Sequence, residues 1–171
     1  MGRDDRYLYM GLGNPILRVC FVGSYQEIYC YYDELPSGKI GFKYSTDDGL
    51  KDEYKGFSKR IISFVVDRMD GNKLKLYICP VSVWHQIEEY RLKNHISGNE
   101  NFEIERSGRG LQTRYHVKFV NESRVTSNQR DIVEATSNTY SFNDILIKKV
   151  EWDFLSVYEE PIESRFEILD L

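Results

Sequence analysis

The chain has 171 residues and a formal net charge of −4, with 41% hydrophobic and 14% aromatic side chains. That size and composition suit one globular domain with a core of its own and an appendage, and exclude a disordered chain. No apolar run approaches the ~20 residues needed to cross a bilayer, and the first 15 residues lack a signal-peptide apolar stretch, so a soluble, cytoplasmic protein is expected.

In chain order, residues 1–13 read as an irregular arm. Residues 16–22 alternate, with Leu17, Val19 and Phe21 on one face, and predict a strand. Residues 26–33 form a second extended run built on Ile28, Tyr29, Tyr31 and Tyr32. Residues 34–56 carry Pro36, Gly38, Gly41, Gly49 and Gly56 and read as a long loop, functional or mobile in a compact domain.

Residues 57–68, β-branched and aromatic, predict the central strand, and Asp70-Gly71 is a strong hairpin turn. The return strand 73–79 has Leu74, Leu76 and Ile78 facing inward, with Lys73, Lys75 and Tyr77 outward. After Pro80 a helical stripe follows through Val81, Trp84, Ile87 and Tyr90 or Arg91, closed by Ser97-Gly98-Asn99. Then come a short strand over 102–107, a Gly108-Arg109-Gly110 turn and an alternating strand. Residues 121–140 are polar and poor in strand formers, and Ser141 is placed to cap a short helix through Lys149. These elements divide the chain into an arm (1–13), a main domain (14–120), an extension with a short helix (121–150) and an acidic tail (151–171).

The tail holds seven carboxylates against one base, Arg165, for a net −6, which leaves +2 on residues 1–150. Such a segment is either a mobile polyanion or a last element packed on the body through Phe166, Ile168, Leu169 and Leu171. Cys20, Cys30 and Cys79 are an odd set without a CxxC, so neither a disulfide framework nor a zinc site is encoded. They fit small apolar side chains in a reducing compartment.

A helix inserted between the third and fourth of five short antiparallel strands is the connectivity of an OB-fold barrel. There the ligand crosses strands 2 and 3, here residues 57–79, flanked by the loop 34–56 and the turn at 107–110. The stretch 106–118 adds chemistry to that placement. It contains Arg106, Arg109, Arg114, His116 and Lys118 and no carboxylate. Leu111, Thr113, Tyr115, Val117 and Phe119 alternate with Gln112, Arg114, His116 and Lys118, so one face can enter a core while the other presents cations. A cationic strand face suits a polyanion and equally suits plain solvation.

Catalytic patterns are weak. His85, His95 and His116 have no cysteine or carboxylate at metal-ligand spacing. Asp33-Glu34 and Asp47-Asp48 could join in a metal-dependent nuclease site only if the loop brought them together, and turn formation explains them as well. Gly11-Leu-Gly-Asn14 is followed by Pro15 and is no dinucleotide fingerprint. A non-enzymatic protein without cofactor or metal is expected.

Residues 57–117 resemble the single-stranded DNA-binding proteins of tailed bacteriophages. The matching features are Val66-Asp67-Arg68 before a hairpin, then Pro80, Ser82, Val83, Trp84 and Ile87 on the helix. Phe102, Ile104, Arg106, Gly108, Gly110, Leu111, Thr113, Tyr115 and Val117 complete the pattern. The resemblance implies an OB-like core and an acidic C-terminal segment that contacts replication proteins, within the host cytoplasm. It carries no metal here, because the family's cysteine-rich segment is absent.

The expected function is coating of single-stranded DNA during phage replication or recombination. Phosphates would meet Arg106, Arg109, Arg114, His116, Lys118, Lys73, Lys75, Lys43 and Lys55, and bases would stack on Tyr77, Phe42, Tyr44 and Tyr54. Phe166, Ile168, Leu169 and Leu171 would dock a protein partner. The alternative is an OB-like protein-interaction module that does not touch nucleic acid.

Overall fold

The computed structural model describes residues 5–10, 13–47, 49 and 57–154, apart from the side chain of Phe42. Tyr54, Lys55 and the apolar residues of the acidic end therefore lie outside the described residues. The described residues fold as one open antiparallel sheet with three α-helices. Its elements are β1 (Ile16–Glu34), β2 (Ile40–Ser45), β3 (Ser58–Asp67), β4 (Lys73–Pro80), α1 (Val81–Lys93), β5 (Glu100–Ser107), β6 (Arg114–Glu122), α2 (Ser127–Thr139) and α3 (Phe142–Leu146). The main path of the sheet runs β4-β3-β1-β5-β6, and β2 pairs with β1 alongside it.

The two opening extended runs are one 19-residue strand. Gly23, at φ +78°, sits in an irregularity between Val22 and Tyr25, where the β1–β3 register shifts. Only glycine takes that backbone freely, and an added Cβ would meet Val133 Cγ1 at 2.9 Å. One edge of β1 pairs with β3, while the other takes β5 near its start and β2 near its end. The expected loop 34–56 is therefore partly a strand, β2, whose partner is the tyrosine-rich half of β1.

Residues 61–67 of β3 are buried without a break because the sheet is covered on both sides. On one side Leu17, Val19, Phe21, Ile61, Val65 and Phe102 pack around Val83, Trp84 and Ile87 of α1. On the other, Ile62, Phe64, Val66 and Leu76 meet Ile132 and Val133 of α2, Phe142 and Ile145 of α3, and Trp152 and Phe154. The acidic segment is thus tied to the body through its first residues, and the boundary expected at 151 falls inside the core.

The expected closed barrel does not form among the described residues, because the edges that would meet are occupied. On β4, Leu76 N donates to Arg6 O (2.7 Å) and Leu8 N donates to Leu76 O (2.8 Å). The arm is therefore paired, with a parallel bridge at Tyr7, and is not irregular throughout. On β6, the Gln86 side chain of α1 donates to Tyr115 O (3.0 Å) and accepts from Val117 N (3.0 Å). One amide thus satisfies the two backbone groups that a neighbouring strand would have used.

Helix α2 lies where the sequence suggests only a polar stretch. Thr126 and Gln129 form a reciprocal capping box, and Ile132, Val133 and Thr136 supply its buried stripe. Ser141 does cap the following helix, which ends at Leu146. All three cysteines are free and buried, and burial pushes the Cys79 thiol up to about 12. Among the described residues no helix is long and apolar enough to cross a membrane.

Candidate nucleic-acid interface

The basic strand faces an acidic neighbour. In the β5–β6 register Lys118 lies opposite Glu103, and His116 opposite Glu105. Glu103 accepts from Lys118 at 3.0 Å and from Arg18 at 3.2 Å. Those two hydrogen bonds, Lys118's first, hold its carboxyl below the ordinary value. The stretch 106–118 has no carboxylate of its own, yet the sheet sets two beside it. Arg106 is half-buried opposite Tyr115.

The Gly108–Gly110 turn remains an exposed cationic point. Gly108, at φ +77°, leaves no room for a side chain, since an added Cβ would lie 2.1 Å from Gln112 O. Arg109 is exposed, and Arg114 folds back to donate to Thr113 O (2.9 Å) and Leu111 O (3.3 Å). Leu111, expected in the core, is 97% exposed, because residues 110–112 form a turn of 3-10 helix and the alternation starts only at Arg114.

On the hairpin β3–β4 two expectations fail. Lys75 is 8% exposed and clamped by Asp67 (2.9 Å) and Asp70 (2.7 Å). Burial disfavours its charge, but the bonds to both carboxylates outweigh it and keep the ammonium pKa raised. It is a structural cation already neutralised. Tyr77 is 3% exposed beside Phe21, so it offers no ring to solvent. Tyr77 packs in the cluster that α1 covers, whereas Lys75 shares a small cleft with Tyr7 and Leu8 of the N-terminal arm. Lys73 does stay exposed, 3.7 Å from Asp70. Lys43 pairs with Asp33 at 3.1 Å, and Phe42 occupies the β2 position opposite Tyr32.

The structure gathers a second constellation that the linear pattern does not reveal. An open cleft of about 570 Å³ lies between the N-terminal arm, the ends of β3 and β4, β6 and the segment after α3. Its rings are Tyr7, Tyr9, Tyr44, Tyr77 and Tyr115. Its charged groups among the described residues are Arg6, Arg60 and Lys149, with no described carboxylate in the wall. In a chain of net −4 this is a local reversal of sign. Arg6 donates to Trp152 O and lies 5.1 Å from the Trp152 ring centroid, which fixes one side of the opening. Burial raises the phenol of Tyr44 above its ordinary value, so it is a neutral donor at pH 7.

Of the expected site residues that are described, only Tyr44 and Tyr77 reach this cleft, joined by Tyr115, which the alternation assigns to the core. Arg60 is legible in the sequence only as a lone cation before an apolar run, and Tyr7, Tyr9 and Lys149 carry no signal there. Among the described residues no group of three or more His, Cys, Asp or Glu is placed to hold a metal ion. No protein-family model, curated protein or solved structure matches this chain.

Proposed function

We propose that this chain is a non-catalytic single-stranded DNA-binding protein of OB type, acting in phage DNA replication or recombination. The strand order β4-β3-β1-β5-β6, with a helix between β4 and β5, supports it as an OB sheet without its closing pair. The observation that carries the reading is the cleft where Tyr7, Tyr9, Tyr44 and Tyr115 meet three cations, with no carboxylate among its described lining residues. Stacking on tyrosine faces is sequence-tolerant, and cations along the same wall neutralise phosphates.

The DNA path differs from the one expected across β3 and β4. One face of these strands is covered by α1 and the other by α2, α3, Trp152 and Phe154. Ligand is therefore displaced to the cleft, past Tyr115 and on towards the exposed Arg109 turn that opens β6. Titration with oligo-dT at low and high salt, followed by intrinsic fluorescence, tests this. Quenching that weakens as salt rises supports it; no binding at low salt refutes it.

The competing reading, a protein-interaction module, is favoured by one feature. The β5–β6 face is charge-compensated by Glu103 and Glu105, and its turn presents Leu111 to solvent. Under that reading oligo-dT leaves the fluorescence unchanged at every salt concentration.

A further inference from the structure

We infer that the tyrosine-lined cleft is a pocket for a single nucleotide, and that it accepts a free nucleoside monophosphate as well as one residue of a strand. The inference rests on the nucleic-acid reading of the same cleft and adds what the site recognises: one base and one phosphate, not a run of backbone.

Size is the first argument. A volume of about 570 Å³ lies within the roughly 300–1,000 Å³ of small-ligand sites. A groove tracking a strand would instead span about 4–16 nucleotides per OB domain.

Unmet hydrogen-bonding capacity is the second. Tyr77 is a residue of the cleft wall, and its buried hydroxyl has no partner among the described residues. Buried polar groups are nearly always paired, so an orphan here marks a place where a ligand atom completes the set. Desolvation holds this phenol well above its ordinary pKa, so it stays protonated and able to donate to a base carbonyl.

Charge is the third. Arg60 is half-buried in β3, between Ile28 and Pro80 in register, and makes no ion pair or hydrogen bond among the described residues. Arg60 lines the same cleft as Tyr44 and Tyr77, and so does Lys149, at φ +53°. An arginine in one cleft with neutral phenols is arranged for a phosphate held against a stacked base. The wall draws on the arm, β1 to β4, β6 and the segment after α3, so the pocket exists only in the complete fold.

The experiment uses the full chain with three probes: dTMP, thymidine and oligo-dT. Calorimetry should show one dTMP per chain, displacement of dTMP by oligo-dT, and thymidine at least about tenfold weaker for want of the phosphate. Tyr77→Phe keeps the ring and should weaken dTMP roughly three- to tenfold. Arg60→Gln should weaken it by roughly ten- to a hundredfold. Lys149→Gln, at an exposed position that cannot disturb the core, should weaken it a few-fold.

If oligo-dT binds while dTMP neither binds nor competes, the single-nucleotide pocket is wrong and the DNA-binding reading survives. The reverse result, dTMP binding as described without oligo-dT, upholds the pocket and removes strand coating. Unchanged dTMP affinity in all three variants would place the nucleotide elsewhere and overturn the inference. Binding of neither ligand overturns both readings.

Discussion

Replacing Trp152 with alanine tests whether the acidic end begins as part of the core. The indole is nearly buried and packs edge-to-face on Tyr7 (6.5 Å, 84°) and Phe154 (5.1 Å, 87°), with the Arg6 guanidinium 5.1 Å from its centroid. Truncating a buried aromatic residue to alanine costs about 3–5 kcal/mol. Within that loss, each aromatic pair contributes about 0.5–1.5 kcal/mol and a partly exposed cation–π contact about 0.5–1 kcal/mol. The Trp152 neighbours Arg6 and Tyr7 are only half-buried and can relax into the gap. The lower part of the range, about 3 kcal/mol, is therefore expected. For a domain of this length that lowers the melting temperature by roughly 6–12 °C. Thermal unfolding followed by circular dichroism and calorimetry measures it, and Trp152→Phe should recover most of the loss. A change below about 1 kcal/mol for the alanine variant would refute the packing of residues 152–154 on β3 and β4.

The turn, the glycines and the paired carboxylates carry further expectations. Arg109→Ala should lower the magnitude of the log-affinity versus log-salt slope for oligo-dT by about 0.7 for each phosphate no longer neutralised, with unchanged melting temperature. Arg114→Ala should match that slope change and melt slightly lower, because its guanidinium also holds Thr113 O and Leu111 O. Gly108→Ala should cost more than about 1 kcal/mol in urea unfolding, since φ +77° and the 2.1 Å approach to Gln112 O cannot both be kept. Gly13→Ala, with open space around its Cβ, is the neutral control. Acid stability should follow Glu103 and Glu100. Lys118 and Arg18 hold Glu103 low; for Glu100 burial raises the value, but the bonds from Ser97 and Gly98 outweigh it. Both folded values are depressed, so their contribution is complete above the ordinary 4.5 and is lost as pH falls from there through the lowered values. Urea midpoints should therefore be flat from roughly pH 7 to 5 and drop below roughly pH 4.

Local signals in this sequence determine local structure. The alternation of residues 16–22, the Asp70-Gly71 turn, the helix after Pro80 and the Ser141 cap all depend on neighbours within a turn or two, and each is found where the pattern puts it, although the helix buries Val83 in place of the expected Val81 beside Trp84 and Ile87. So is the burial of the cysteines, small apolar residues in strands. What the linear order leaves open is which face of a strand stays wet. Lys75 and Tyr77 occupy the pattern of an exposed face, but α1 packs into the cluster that holds Tyr77, and Asp67 and Asp70 clamp Lys75. Helix α2 is too polar to announce itself except through its Thr126–Gln129 box, because its few apolar residues gain meaning only against the β1–β3 face. Charge behaves in the same way. Residues 106–118 are cationic in linear order, but register places Glu103 and Glu105 beside them, while Arg60, Lys149 and five separated tyrosines converge with no carboxylate among the described lining residues. Electrostatic and aromatic sites depend on distances across the fold, which fall off within a few ångströms and bear no relation to separation along the chain. The locally signalled elements were set by the sequence within short windows; β2, helix α2, the pairing of the arm and the candidate site were set only by packing across the fold.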